Sequence, residues 1–377
     1  MPCKGALEYR NPNVTTDGSI ISTKRLHFPE NSKVSNVGIA WKNETANEIV
    51  VAYSMIDASN NGQMRFYEGR LQGKSQTVKP LSSMFTEPPN ISFPHRHSFP
   101  HRLYSLKPRS TNALRYVNGE DARVLYISDD EIHIIWNDLS NKKRLMHIGR
   151  ISLRHFGKNL HLVNITVLED QRYTNGVQKN WSPFKCGETL YLEKSINPHC
   201  VFKTVTYNES YPSHMHKQVG GIEFINCTHS VFIEKHWKYG SMRGGSPSYR
   251  LNESHYIGAF HSSVLEVDHK KKGFRRCCKT YYMGFYMFES TEPFKLSHIS
   301  DAPLVVSPPM YRGPPSKYAR YVVFPTGMRV SVNTIDVVFG VNDREVWMIT
   351  LHKQKLLETL RSVNGTVTAF HPHHPDH

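Results

Sequence analysis

Val124-Leu125-Tyr126-Ile127, then Ser128-Asp129-Asp130, then Glu131-Ile132-His133-Ile134-Ile135-Trp136: two β-branched and aromatic runs flank a short polar turn. Residues of this kind fit a pleated strand, and the Ser-Asp-Asp between them predicts a tight reversal, so the stretch reads as a β-hairpin. The same pattern returns near the other end of the chain, where Asp336-Val-Val-Phe-Gly-Val341 and Glu345-Val-Trp-Met-Ile349 flank Asn342-Asp343-Arg344. Further strand-like runs are 48–53, 160–168, 189–192, 221–225, 255–261, 281–288 and 321–324. Helical character is confined to 353–361. Many short strands mean a sandwich, a barrel or a propeller, and hairpins repeated over the whole length favour a β-propeller. The repeat is too degenerate to count blades. The expectation is one all-β domain over 1–377, with a Pro/His/Ser-rich loop at about 75–110 and a short helix and tail after 351.

Composition bounds the partners. The chain has 377 residues, 38% hydrophobic and 11% aromatic, enough to bury a sizeable core. A formal net charge of +15 favours anionic partners such as nucleic acid, acidic lipid, phosphate or sugar nucleotides. The basic residues are scattered apart from Lys270-Lys271-Lys272 and Arg275-Arg276, with no zinc-finger spacing or recognition-helix pattern, so no nucleic-acid partner is expected. No apolar run approaches the length of about 18 residues that a membrane span needs. The start, Met1-Pro2-Cys3-Lys4-Gly5, has no apolar leader core, so membrane attachment is expected only through an anchor outside these residues.

Asn13, Asn43, Asn90, Asn164, Asn208, Asn226, Asn252 and Asn364 each open an Asn-X-Ser/Thr acceptor pattern, as Asn180 formally does. Cys3, Cys186, Cys200, Cys227, Cys277 and Cys278 fit disulfides of an oxidising compartment, or buried thiols of a cytosolic protein. Cys186 and Cys200 flank what reads as one hairpin and are the expected pair. The setting expected is the secretory pathway (endoplasmic reticulum or Golgi lumen) or secretion, with the cytoplasm as the alternative.

Four segments carry chemistry-bearing residues. Glu120-Asp121-Ala122-Arg123 puts two acids and an arginine at a strand entry, where propeller strands converge on the axis; a plain turn is the other reading. Lys179-Asn180-Trp181 offers an ammonium, an amide and an indole: an anion contact, hydroxyl partners and a stacking face, unless the Trp is a core residue. Arg243-Gly244-Gly245, followed by a strand reaching His261, joins a guanidinium to backbone that a ligand can approach. Asp343 sits in the last hairpin turn, where it either reaches the axis or only closes the turn. The histidines at 95, 97 and 101 and those of the 371–377 tail lack a closed ligand set, so no metal site is expected.

Taken in order, these segments resemble glycoside hydrolase family 130, the mannoside phosphorylases and hydrolases. The family's Glu-Asp-Pro-Arg segment is matched by Glu120-Asp121-Ala122-Arg123, its Lys-Asn-Trp by Lys179-Asn180-Trp181, and its Arg-Gly-Gly and later His by Arg243-Gly244-Gly245 and His261. Its last blades are matched by Tyr321 to Gly327 and Asp336 to Asp343, and weaker similarity begins at Asn36-Val-Gly-Ile-Ala-Trp41. The match runs over most of 119–351.

The resemblance implies a five-bladed propeller with its site on the axis and an inverting reaction on β-mannosides. Related protist enzymes use the propeller as β-1,2-mannosyltransferases. By position it implies Asp121 as general acid; Lys179, Arg243 and His261 as ligands of phosphate or of a donor's phosphate groups; and Glu120, Arg123, Asn180, Trp181 and Asp343 around the sugar. No cofactor is implied, inorganic phosphate or a sugar nucleotide being substrate, and the partner is an oligosaccharide or glycan. Phosphorolysis needs one acid and a cationic pocket, whereas inverting hydrolysis needs a second carboxylate about 6.5–9.5 Å from the first. Retention of Lys179 and Arg243 favours a phosphorylated donor, and a secretory setting favours a transferase. The alternatives are an inverting hydrolase and a non-catalytic glycan-binding propeller. Ala122 stands where the family has proline, and the family's further phosphate-binding arginines have only Arg144, Arg150 and Arg154 as candidates.

Overall fold

The structure is a computed structural model that describes residues 19–28, 34–42, 48–56, 62–72, 77–80, 117–128, 130–137, 146–152, 161–168, 179–208, 218–268, 275–304, 319–363 and 367–369. Five small, mostly antiparallel sheets stand around one axis as a five-bladed β-propeller. Blade I comprises β2 (Val34–Trp41), β3 (Glu48–Ile56), β4 (Gly62–Gln72) and β5 (Thr77–Pro80), with β6 (Val117–Asn118) paired to β4. Blade II is β7 (Glu120–Ser128), β8 (Glu131–Asn137), β9 (Met146–Ser152) and β10 (His161–Leu168). Blade III is β11 (Ser182–Cys186), β12 (Thr189–Ile196), β13 (His199–Asn208) and β14 (Gln218–Ser230), followed by the short helix α1 (Val231–His236). Blade IV has β15 (Ser241–Gly244) and β16 (Tyr249–Arg250) on β17 (His255–Asp268), then β18 (Arg275–Glu289) and β19 (Leu296–Ser300), with β20 (Ala319–Tyr321) parallel to β18. Blade V is β21 (Val323–Val330), β22 (Thr334–Val341) and β23 (Glu345–His352), completed by the N-terminal strand β1 (Ile20–Leu26).

Closure by β1 joins the two ends of the chain in one sheet, with Lys24 opposite Met348, and removes the free edge that an open ring would leave. The chain end contributes two more outer strands: β24 (Leu360–Ser362), after helix α2 (Lys353–Glu358), edges blade IV, and β25 (Val367–Ala369) edges blade III.

Why these sequences form this ring follows from period-two alternation on strands buried on both faces. On β8, Ile132, Ile134 and Trp136 join the core between blades I and II, while Ile135 turns to the core between II and III. On β22, Ile335, Val337, Phe339 and Val341 pack toward blade IV and Val338 toward blade I. An aromatic-rich cluster around Phe184, Phe260 and Phe288 fills the gap between III and IV. Each blade therefore shares a core with both neighbours.

The inner strands touch around the axis. A Cβ at Gly38 of β2 would lie 2.6 Å from the Ala122 carbonyl oxygen of β7, and one at Gly327 of β21 would lie 2.5 Å from that of Ile39. Glycine at these two positions is what lets neighbouring backbones approach so closely.

Several expectations need correction. Residues 77–80 form β5, so the loop begins later than 75, and 81–110 lie outside the described residues. The helix after β23 stops at Glu358 and the chain continues as β24. The run 321–324 is divided: Tyr321 ends β20 in blade IV and Val323 opens β21 in blade V, with Val322 between them held by Asn342, whose side-chain Oδ1 accepts from the Val322 N–H and whose backbone N–H donates to the Val322 carbonyl. Among the described residues, a disulfide joins Cys200 to Cys227, not Cys186 to Cys200. Cys200 and Cys227 face each other directly across β13 and β14, whereas Cys186 sits at the β11–β12 turn, the opposite end of that hairpin from Cys200, and is free. No helix among the described residues is long and apolar enough to cross a membrane.

Candidate active site

One end of the axis collects the starts of β2, β7 and β11 and the turn after β22. A left-handed residue stands there in several blades: Asn36 (φ 50°), Asp121 (φ 57°), Asn180 (φ 62°), and Asn342 and Asp343 (φ 53° and 54°). Asn and Asp are the non-glycine residues that tolerate this region best. The twist turns each side chain out of the strand's alternation and toward the axis.

Asp121 is at the centre. Asn36 Nδ2 of blade I donates to its Oδ1 (2.6 Å) and Asn137 Nδ2 at the end of β8 to its Oδ2 (3.3 Å), giving each oxygen one amide donor. Burial raises the carboxyl to about 6, with the Glu120 charge adding to the rise against Arg123, Lys179 and the Asn36 hydrogen bond. Near-neutral pH thus finds Asp121 partly protonated, as a general acid needs to be.

Glu120 and Lys179 pair at 2.6 Å across blades II and III, each about a quarter exposed. Arg243 lies exposed on β15. Asp343 reaches solvent by area yet stands within the walls of the mouth, and this partial burial, with Glu120 nearby, raises its carboxyl. Tyr281 of β18 is half-buried beside these groups: burial raises its phenol, the Asp343 and Asp121 charges add to the rise, and Arg243 opposes it.

The other residues implied by the resemblance lie below this surface. Arg123 is wholly buried, and its guanidinium donates to the Gly245 carbonyl (2.9 Å), the Asp121 carbonyl (2.5 Å) and Asn180 Oδ1 (3.1 Å) while lying over the Phe324 ring. Burial lowers its pKa to about 10, partly offset by Asp121 and Glu120, so it remains a cation. It braces blades II, III and IV. Asn180 is 5% exposed, and Arg123 and His261 Nε2 (3.5 Å) engage both ends of its amide. Trp181 is 0% exposed and stacks on Phe202, so the face expected for a sugar is already covered. His261 is 2% exposed, between Tyr281 and Phe324. Burial, then Arg123 and Arg243, hold it well below its usual range, so it is neutral and can offer a phosphate an N–H donor but no charge. Arg150 reaches the Asp130 carbonyl at the opposite end of blade II, and Arg144 and Arg154 lie outside the described residues.

The structure therefore brings Glu120, Asp121, Lys179, Arg243 and Asp343 to the mouth and keeps Arg123, Asn180, Trp181 and His261 beneath it. Sequence reasoning missed Asn36 and Asn137 as partners of Asp121, and Tyr281. The signal for Asn36 was available: Asn36-Val-Gly, Asp121-Ala-Arg and Asn180-Trp-Ser are one pattern, an Asn or Asp at the entry of successive inner strands.

No protein-family model and no curated protein matches the sequence. Solved structures do match. One comes from the GH130 family of mannoside phosphorylases, described as containing glycoside hydrolases that target β-1,2 mannosidic linkages in Candida mannan; it is 13% identical, covers 86% of each chain and has a TM-score of 0.51. A glycosyl hydrolase from Bacteroides ovatus is 14% identical over 91% of this chain and 92% of its own, with a TM-score of 0.50. A hypothetical protein from Leishmania major is 12% identical over 93% of this chain and 94% of its own, at 0.50. At such identities the likeness is one of fold. In fold, this chain is a five-bladed propeller like that of glycoside hydrolase family 130.

Proposed function

We propose that the chain is a carbohydrate-active enzyme that makes or breaks β-mannosidic linkages with inversion, as a glycosyltransferase or phosphorylase using a phosphorylated donor or inorganic phosphate. The observation that carries this reading is Asp121: a carboxyl at the axial mouth, gripped by two amides from neighbouring strands and raised to about 6. A positioned acid of that strength protonates a glycosidic oxygen near neutral pH and, once ionised, accepts the proton of the acceptor hydroxyl in the reverse reaction. Lys179 and Arg243 are the cations at the mouth that would meet an anionic nucleophile or leaving group. The glycoside-acting proteins of the same fold support the substrate class.

A second reading, inverting hydrolysis, is favoured by two features. Lys179 is already neutralised by Glu120, and Asp343 supplies a further carboxylate at the mouth to activate water.

A donor and acceptor screen separates these readings. Mannose-1-phosphate, GDP-mannose and free phosphate are offered with β-manno-oligosaccharides, and products are resolved by chromatography. Transfer from either donor, or phosphate-dependent release of mannose-1-phosphate, supports the first reading. Release of free mannose without phosphate supports the hydrolase. Glycan binding with no turnover under any condition overturns both in favour of a lectin.

A further inference from the structure

The two amides on Asp121 are not equivalent. Asn36 Nδ2 lies 2.6 Å from Oδ1, the length of a strong charge-assisted bond, and its own oxygen, also buried without a hydrogen-bond partner among the described residues, packs beside Gly340, where an added Cβ would come within 2.7 Å of it. Asn137 Nδ2 is a looser 3.3 Å from Oδ2. Asn137 is 0% exposed, and its Oδ1 is buried with no hydrogen-bond partner among the described residues. A buried amide oxygen left in that state is costly unless another state of the site uses it.

Protonation of Asp121 supplies such a state. A carboxylate accepts from both amides; a carboxylic acid has one oxygen that must donate. Oδ1 stays an acceptor for Asn36, so the proton falls on Oδ2, where an N–H now points at an O–H. Rotation of the Asn137 amide by half a turn exchanges its nitrogen for its oxygen at nearly the same place. The donor–donor clash becomes an Oδ2–H to Oδ1 hydrogen bond, and Nδ2, released from Asp121, takes the place the oxygen held.

We infer that Asn137 is a positioning residue that follows the proton on Asp121, donating through Nδ2 to the carboxylate and accepting through Oδ1 from the acid. This rests on the reading of Asp121 as the general acid. The acid is thereby held in one orientation through both halves of its cycle, with no movement of backbone. The charged and titratable groups around Asp121 are Glu120 and Arg123 on its own strand, Lys179 ahead of β11 and Tyr281 of β18, with Asp343 beside Glu120; β2 and β8 bring only the two uncharged amides.

The test follows the side-chain amide protons of ¹⁵N-asparagine-labelled protein by NMR from pH 4.5 to 8.5, with Asn36→Ser and Asn137→Ser to assign the two pairs. The expected result is an Asn137 amide pair that loses its hydrogen-bonded shift as pH falls, with the same midpoint as the Asp121 carboxyl carbon, while the Asn36 pair stays bonded. Asn137 resonances that stay flat through the Asp121 transition overturn the inference. Should either variant fail to fold, neutron diffraction of the wild-type protein at the two pH extremes reads the same point: deuterium between Asp121 Oδ2 and Asn137 belongs to Asn137 at high pH and to Asp121 at low pH. An unchanged Asn137 orientation contradicts the inference. Neither measurement needs turnover. A moving Asn137 in a protein with no activity leaves this inference standing and removes the enzyme reading; a flat one in an active protein does the reverse.

Discussion

Asn36 of the first blade donates to Asp121 of the second at 2.6 Å, across 85 residues of sequence, and both sit in the left-handed region of backbone space. Two strained residues from neighbouring blades thus define the position of one carboxyl. The arrangement costs stability. The folded protein holds Asp121 at about 6 against an ordinary 3.8, so it prefers the protonated form. The raised carboxyl contributes no penalty below the unfolded pKa; its cost grows as pH rises from about 4 to about 6 and persists above. Asp121→Asn, which keeps shape and removes charge, is expected to stabilise the protein by about 1–3 kcal/mol at pH 8 and by little at pH 4.5. Thermal unfolding of both proteins at the two pH values checks it.

Arg123 has the opposite character. Its three hydrogen bonds hold Gly245, Asp121 and Asn180 together where three blades meet, and it is wholly buried. Arg123→Met strands those acceptors and is expected to cost about 3–5 kcal/mol, as loss of one partner from a buried charged network does. Denaturant titration measures it. A ligand-binding role alone, with unchanged stability, is the contrary result.

Trp181 separates a packing role from a sugar contact. Buried against Phe202, it is expected to lose about 1–3 kcal/mol of stability as Trp181→Phe, with KM for the glycan unchanged to within about twofold. A large rise in KM at full stability would restore the indole to the sugar site.

What the sequence made legible was the alternation. The hairpin from Val124 to Trp136 reads correctly because its side chains fill cores on both faces of one blade. The order of the motifs carried the mouth residues Glu120, Asp121 and Lys179. Burial was not legible: Lys179, Asn180 and Trp181 are consecutive, yet only Lys179 keeps its side chain at the mouth, because the left-handed Asn180 turns its side chain inward. Asn137 was hidden for a related reason. It ends an outward-looking hairpin strand and meets Asp121 only through the register that sets Glu120 opposite it. The Cys200–Cys227 pair likewise depends on the β13–β14 register, which spacing alone does not fix.

The acceptor patterns also separate on the structure. Asn252 lies in an exposed turn on blade IV, where Ser254 Oγ donates to its Oδ1 (3.0 Å). Asn180 is buried with its amide engaged. Expressed through a secretory pathway, the protein is expected to carry glycan at Asn252 and none at Asn180. Peptide mass spectrometry after enzymatic deglycosylation in heavy-oxygen water distinguishes the two sites, and the same digest run without reductant is expected to show the Cys200–Cys227 cross-link.

The central claim is that Asp121 is the proton donor of a glycosyl-transfer site, and the pH dependence of kcat/KM for wild type beside Asp121→Asn tests it most directly. In the cleavage direction the acid must be protonated in the free enzyme, so activity is expected to fall as pH rises through about 6, with Asp121→Asn reduced by at least about 100-fold at every pH while still binding glycan. Turnover by Asp121→Asn within a few fold of wild type, with the same pH limb, would contradict the account.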